Sequence, residues 1–109
     1  MLDLPYPLGY IERMMEVRQT DLYSRWFKKL KDPRAKAKID IRIRRLSLGN
    51  PGDAEPIGKG LSELRIDYGP GYRIYFMRRG DEFVLLLAGG DKSSQQRDIK
   101  QAHELAENV

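Results

Sequence analysis

At residue 61 the spacing of apolar side chains switches from the period of a helix to the period of a strand, and that switch sets the fold class. Leu61-Ser-Glu-Leu-Arg-Ile-Asp-Tyr puts Leu64 and Ile66 on one face and Glu63, Arg65 and Asp67 on the other. Gly69-Pro70-Gly71 turns the chain. Residues 72–78 return with Ile74 and Phe76 inward and Arg73, Tyr75 and Met77 outward. Arg79-Gly80-Asp81 turns it again, and residues 83–88 form an almost wholly apolar strand, expected at the centre of the sheet.

The chain before this point reads differently. Ile11, Met15 and Val17 alternate and predict a first strand over 10–18. Thr20 can cap a helix whose apolar stripe is Leu22, Trp26, Phe27 and Leu30. Asp32-Pro33 stops that helix and starts another, Asp as N-cap and Pro at the first helical position. Ala35, Ala37, Ile39, Ile41 and Ile43 also alternate like a strand. Length and flanks decide for a helix ending at Gly49, with Ile39, Ile43 and Leu46 buried. Residues 49–60 read as a loop. Ser93 and Gln96 have capping-box spacing, and Ile99, Ala102 and Ala106 line a last helix. The predicted order is β-α-α-β-β-β-α: an α+β fold with an antiparallel sheet packed against helices, in one domain over residues 1–109.

Composition removes several function classes. There is no cysteine, which excludes a disulfide scaffold, a thiolate metal site and a cysteine nucleophile. The single histidine, His103, excludes a two-histidine site and reads as a surface or satisfied residue within the last helix. No apolar run approaches the roughly 18 residues of a membrane span. The first residues lack the build of a signal peptide, so a cytoplasmic protein is expected. The net charge is +4, unevenly spread. Residues 25–45 hold ten bases against two acids, leaving ten against fourteen elsewhere. Such a block suits a polyanionic partner, with Lys28, Lys29, Arg34, Lys36, Lys38, Arg42 and Arg45 as RNA-binding candidates; a solvated helical face is the other reading.

Gly58-Lys59-Gly60 lacks the spacing and the hydroxyl residue of a phosphate loop. The outward face of the hairpin is more informative. It gathers Arg65, Arg73, Tyr75 and Glu63, with Lys59 just before the hairpin and Asp91-Lys92 just after the third strand. Arginine binds phosphate oxygens in a two-pronged way. Cleavage of RNA by its own 2′-hydroxyl needs a base, charge stabilisation at phosphorus and an acid for the leaving oxygen. Arginine supplies the second. Lys92 or Lys59 is a candidate acid or base, and Tyr75 a candidate donor. Polar solvation of an outward face is the bland alternative.

The stretches running from Gly60 through Phe76 and from Leu86 through Ile99 resemble the RelE/ParE superfamily of toxins, and within it the HigB-like addiction-module killer proteins, similar to a phage protein family. Arg18-Gln19-Thr20 ahead of a Trp-Phe helix and the Gly-Asn-Pro-Gly-Asp loop fit as well, so the likeness covers roughly residues 10–107. The resemblance implies a RelE-like fold, a helix-turn-helix antitoxin as partner, and arrest of translation by metal-independent, cofactor-free cutting of mRNA on the ribosome, with no membrane involved. By motif, Arg73 matches the family arginine held against the scissile phosphate, Arg65 a basic position on the preceding strand, and Lys92 a position where relatives carry histidine, arginine or lysine. The basic helices resemble surfaces that hold ribosomal RNA. The chain departs from relatives that carry a catalytic histidine near the last strand or a C-terminal tyrosine. The ParE branch, which poisons DNA gyrase without cutting RNA, shares the fold, and a non-catalytic binding module is a third possibility.

Overall fold

The computed structural model describes residues 14–109. Strand β1 (Glu16–Gln19) leads into helices α1 (Asp21–Lys29) and α2 (Pro33–Ser47). Four strands follow: β2 (Ala54–Gly58), β3 (Leu61–Ile66), β4 (Tyr72–Arg79) and β5 (Phe83–Asp91). A 3-10 turn (Lys92–Ser94) passes into α3 (Gln95–Ala106). The result is the expected α+β fold, built on one five-stranded sheet of order β1-β5-β4-β3-β2.

The helix starts follow from local chemistry. The Thr20 hydroxyl accepts from the Tyr23 amide at 3.1 Å and donates to the Leu87 carbonyl at 2.7 Å. It therefore caps α1 and ties it to β5, where Tyr75 pairs with Ala88 but Phe76 with Leu86, leaving Leu87 as the extra residue of a bulge. Asp32 caps α2 by accepting from the Arg34 and Ala35 amides, with Pro33 at the first position.

The sheet is covered on both faces. Tyr23 of α1 and Ile39, Ile43 and Leu46 of α2 pack against Leu64, Ile66, Ile74, Phe76 and Leu86. On the other face Ala102, Ile99 and Leu105 of α3 pack against Tyr75, Leu85, Leu87 and Ala88. This arrangement corrects several expectations. The sheet is mixed, because β1 runs parallel to β5. The segment read as a loop contains β2, an edge strand that tolerates Pro56 because an edge leaves one row of amides unpaired. The middle strand is β4, with β5 beside it. Met15 is buried but Val17 is 40% exposed, and Ile11 lies outside the described residues. The cap before α3 belongs to Asp91 and Ser94, in place of Ser93 and Gln96. Tyr75 sits on the predicted face but is wholly buried, since α3 lies over it.

Candidate active site

Where the β3–β4 turn meets the end of β5, α3 leaves the sheet uncovered. A cleft of about 220 Å³ opens there, with Arg65, Arg73, Lys92, Asp53 and Asp67 on its walls and Gly71 in its floor. The register makes the meeting unavoidable. Arg65 and Arg73 are direct cross-strand partners, and Arg73 in turn faces Gly90, two residues before Lys92. The turn that returns the chain needs Gly71 at a φ of +82°.

Two guanidinium groups opposite one another repel unless an anion lies between them. Glu63 is that anion. Its side chain is 3% exposed, and its Oε2 accepts from Arg65 Nε at 3.2 Å and from Arg73 Nη1 at 3.4 Å. Its Oε1 accepts from Gln95 Nε2 at 2.7 Å. Arg65 also reaches Glu55 at 2.7 Å and Asp53 at 3.9 Å, so its charge is spent on three carboxylates. The hydrogen bond to Glu63 holds the Arg65 guanidinium above its ordinary pKa. Arg73 is less occupied: its side chain is 12% exposed, and its Nε is buried without a hydrogen-bond partner. Lys92 has no ion pair among the described residues, and its stem crosses Gly71. Asp67 likewise has no hydrogen bond or ion pair among them.

The cleft therefore brings together three of the five predicted residues. Lys59 is elsewhere, in the β2–β3 turn with a φ of +54°, at the opposite end of β3 from Arg65. Tyr75 does not reach the cleft. Its hydroxyl is buried without a partner, and burial, with Glu63 and Asp98 nearby, pushes its pKa up, so it stays neutral. His103 is satisfied, its Nε2 standing 3.0 Å from the Ile57 carbonyl.

The basic block divides into surface and structural members. Lys28, Lys29, Arg34, Lys38 and Arg45 are exposed. Lys36 and Lys38 each set an ammonium 5.3 Å from an aromatic ring, those of Phe27 and Tyr68. Arg42 points inward and donates to the carbonyls of Arg65 at 2.5 Å, Pro51 at 3.1 Å and Asp53 at 3.1 Å, which holds the 50–53 loop against β3. A groove along α2, lined by Lys38, Ile41, Arg42 and Arg45, meets the cleft at Ile66 and Asp67.

Glu63 was expected on this face but given no role there, and Gln95 was missed. Glu63 was legible as a face-mate of Arg65 at period two. Gln95 carries no sequence signal, because its contact spans 32 residues and depends on how α3 docks.

The model of the family described as phage-derived protein Gp49-like (DUF891) matches residues 25–108. An uncharacterized protein of Haemophilus influenzae is 48% identical over 95 residues, covering 87% of this chain and 96% of its own length. The matched region spans α2, the whole hairpin, β5 and α3, and so every wall of the cleft. The chain belongs to the phage-derived Gp49-like family, one of the RelE/HigB-like group of toxin–antitoxin toxins.

Proposed function

We propose that this protein is the toxin of a type II toxin–antitoxin module and that it arrests translation by cutting mRNA on the ribosome, in the cytoplasm, until its antitoxin neutralises it. The observation that carries the reading is the placement of Arg73 and Lys92 in one cleft, Arg73 paired with one carboxylate where Arg65 is paired with three, and Lys92 without an ion pair among the described residues. In this reading Arg73 holds the scissile phosphate and stabilises the charge that builds on its oxygens as the 2′-hydroxyl attacks phosphorus. The Lys92 ammonium protonates the departing 5′ oxygen, and the Asp67 carboxylate takes the proton of the 2′-hydroxyl. Arg65, surrounded by acids, shapes the cleft instead of gripping substrate. The exposed bases of α1 and α2 grip the RNA backbone, with the α2 groove leading a strand into the cleft. One domain carries all of this. The ribosome aligns the message, so naked RNA is a poor substrate.

Mapping transcript 5′ ends shortly after inducing the chain in bacteria tests this, with Arg73→Ala as control. New ends inside translated codons, absent in the mutant, are expected. Growth arrest with intact transcripts would reject the nuclease and point to gyrase; no arrest at all would leave a binding module.

A further inference from the structure

A carboxylate buried to the extent of Glu63 survives only if charge and hydrogen bonds meet it from several sides. Here both oxygens are engaged, by Arg65 of its own strand, Arg73 of β4 and Gln95 of α3. With the Glu63 side chain 3% exposed, neither oxygen is open to a substrate. Without Glu63, Arg65 and Arg73 would oppose each other as like charges across the hairpin. Arg65 would keep Glu55 and Asp53, whereas Arg73 would lose its one hydrogen-bond acceptor among the described residues. The asymmetry matters, because Arg73 lines the cleft with Glu63 as its single ion-pair partner among the described residues.

Resting on the nuclease reading above, we propose that Glu63 is the positioning residue of the cleft: it holds Arg73 through Nη1, on a carboxylate that Gln95 fixes in turn, so that the other amino group of Arg73 is set for the phosphate before RNA arrives. The arrangement follows the general rule that a group placed in advance costs nothing to order at the moment of reaction. It links the docking of α3 to the geometry of the hairpin through a single side chain.

Glu63→Gln tests the proposal, since it keeps the volume and a bond to Gln95 but removes the charge. Arginine side-chain NMR on the full chain reads Arg73 directly. Separate, slowly rotating Nη groups are expected in the wild type and one averaged signal in E63Q. In ribosome-dependent cleavage, where the ribosome and not the cleft holds the message, the variant should lose on the order of a hundredfold in kcat while KM stays within about twofold. Wild-type kcat in E63Q would overturn the proposal. So would a fall in rate and melting temperature with the Arg73 signals unchanged, which is what a merely structural ion pair would give. If the wild type cuts no message, the nuclease reading fails by itself. The hold on Arg73 is then judged by its NMR signals and by titration with a short RNA oligonucleotide, expected to bind E63Q about tenfold more weakly; equal affinity overturns it. Should E63Q not fold, Gln95→Ala leaves the charge but frees Oε1, and should broaden the Arg73 signals and slow cleavage about tenfold; wild-type behaviour in Q95A would overturn the proposal.

Discussion

Lys92 lies across the backbone of Gly71 so closely that a Cβ at residue 71 would fall 2.9 Å from its Cε and 3.0 Å from its Cγ. Gly71 also holds a φ of +82°, which costs a side-chain-bearing residue about 1–2 kcal/mol. Gly71→Ala should therefore do two things. It should lower the melting temperature by several degrees, at about 5 °C per kcal/mol for a chain of this size. It should also push Lys92 off the cleft and abolish growth arrest. Lys92→Ala should remove the arrest while leaving the melting temperature within about 2 °C of wild type, since the side chain is exposed. Full toxicity in either variant would take Lys92 out of the chemistry.

Asp67 lines both the cleft and the α2 groove and has no hydrogen bond or ion pair among the described residues. If it takes the proton of the 2′-hydroxyl, Asp67→Asn should slow ribosome-dependent cleavage about 10²- to 10⁴-fold, with KM nearly unchanged and stability within about 0.5 kcal/mol. A rise in KM with kcat intact would make Asp67 a binding residue only.

The hairpin was legible in the sequence because its signal is local. Period two placed Glu63, Arg65, Arg73 and Tyr75 on one face, and the turn glycines marked where the chain reverses. What escaped was long-range. That α3 would bury Tyr75 and not Arg73 depends on where that helix docks, and no spacing encodes it. Lys59 seemed near the cleft because it precedes the hairpin in sequence, yet β3 carries the chain away from it. Strand β2 was hidden by Pro56 and Gly58, residues an edge strand tolerates and a propensity reading assigns to a loop. The parallel pairing of β1 with β5 joins residues 67 apart, beyond any local pattern.

Charge counting treated Arg42 as one more surface base, but it donates to three backbone carbonyls. Removing it takes the side-chain donor from all three and loosens the 50–53 loop, although the Asp53 carbonyl keeps the Arg65 amide at 2.9 Å. Arg42→Ala should cost about 2–3 kcal/mol in urea unfolding. Lys28→Ala, on the exposed end of α1, should stay within about 0.5 kcal/mol and instead weaken RNA binding and its salt dependence. Equal stabilities for the two variants would mean that the Arg42 bonds contribute nothing net.

Two carboxylates make the fold sensitive to acid. Asp32 accepts from the Tyr68 hydroxyl at 2.8 Å, and this bond, more than the amides it caps, holds its pKa below the ordinary 3.8. Asp91 is held below 3.8 chiefly by the Ser93 hydroxyl. Groups depressed in the folded state contribute stability that is present above their unfolded pKa and is lost as pH falls through the folded value. The melting temperature should therefore lose this contribution only below about pH 4. Tyr68→Phe removes the main cause of the Asp32 shift, so the variant should lose less stability on acidification and its acid limb should be shallower. An unchanged acid limb in that variant would mean that the Tyr68 bond does not act on the cap.

Gly89 and Gly90 close β5 with one position turned to each face of the sheet. A Cβ at Gly89 would lie 2.2 Å from Trp26 Cε3 on the α1 side, and one at Gly90 would lie 1.9 Å from Asp98 Oδ2 on the α3 side. Neither helix could dock as it does over a larger residue. At Gly90 the obstructing group is the buried Asp98, whose Oδ2 accepts from the Ser94 hydroxyl at 2.5 Å. Gly90→Ala must therefore displace Asp98 and break the bond that steadies the start of α3. The expected cost is about 3 kcal/mol. If the clash runs through that carboxylate, truncating it makes room: in an Asp98→Ala background the added cost of Gly90→Ala should shrink by at least about 1 kcal/mol, a coupling that a double-mutant cycle in urea reads directly. Additive costs would mean that the strain lies in the β5 backbone and not in the approach of α3.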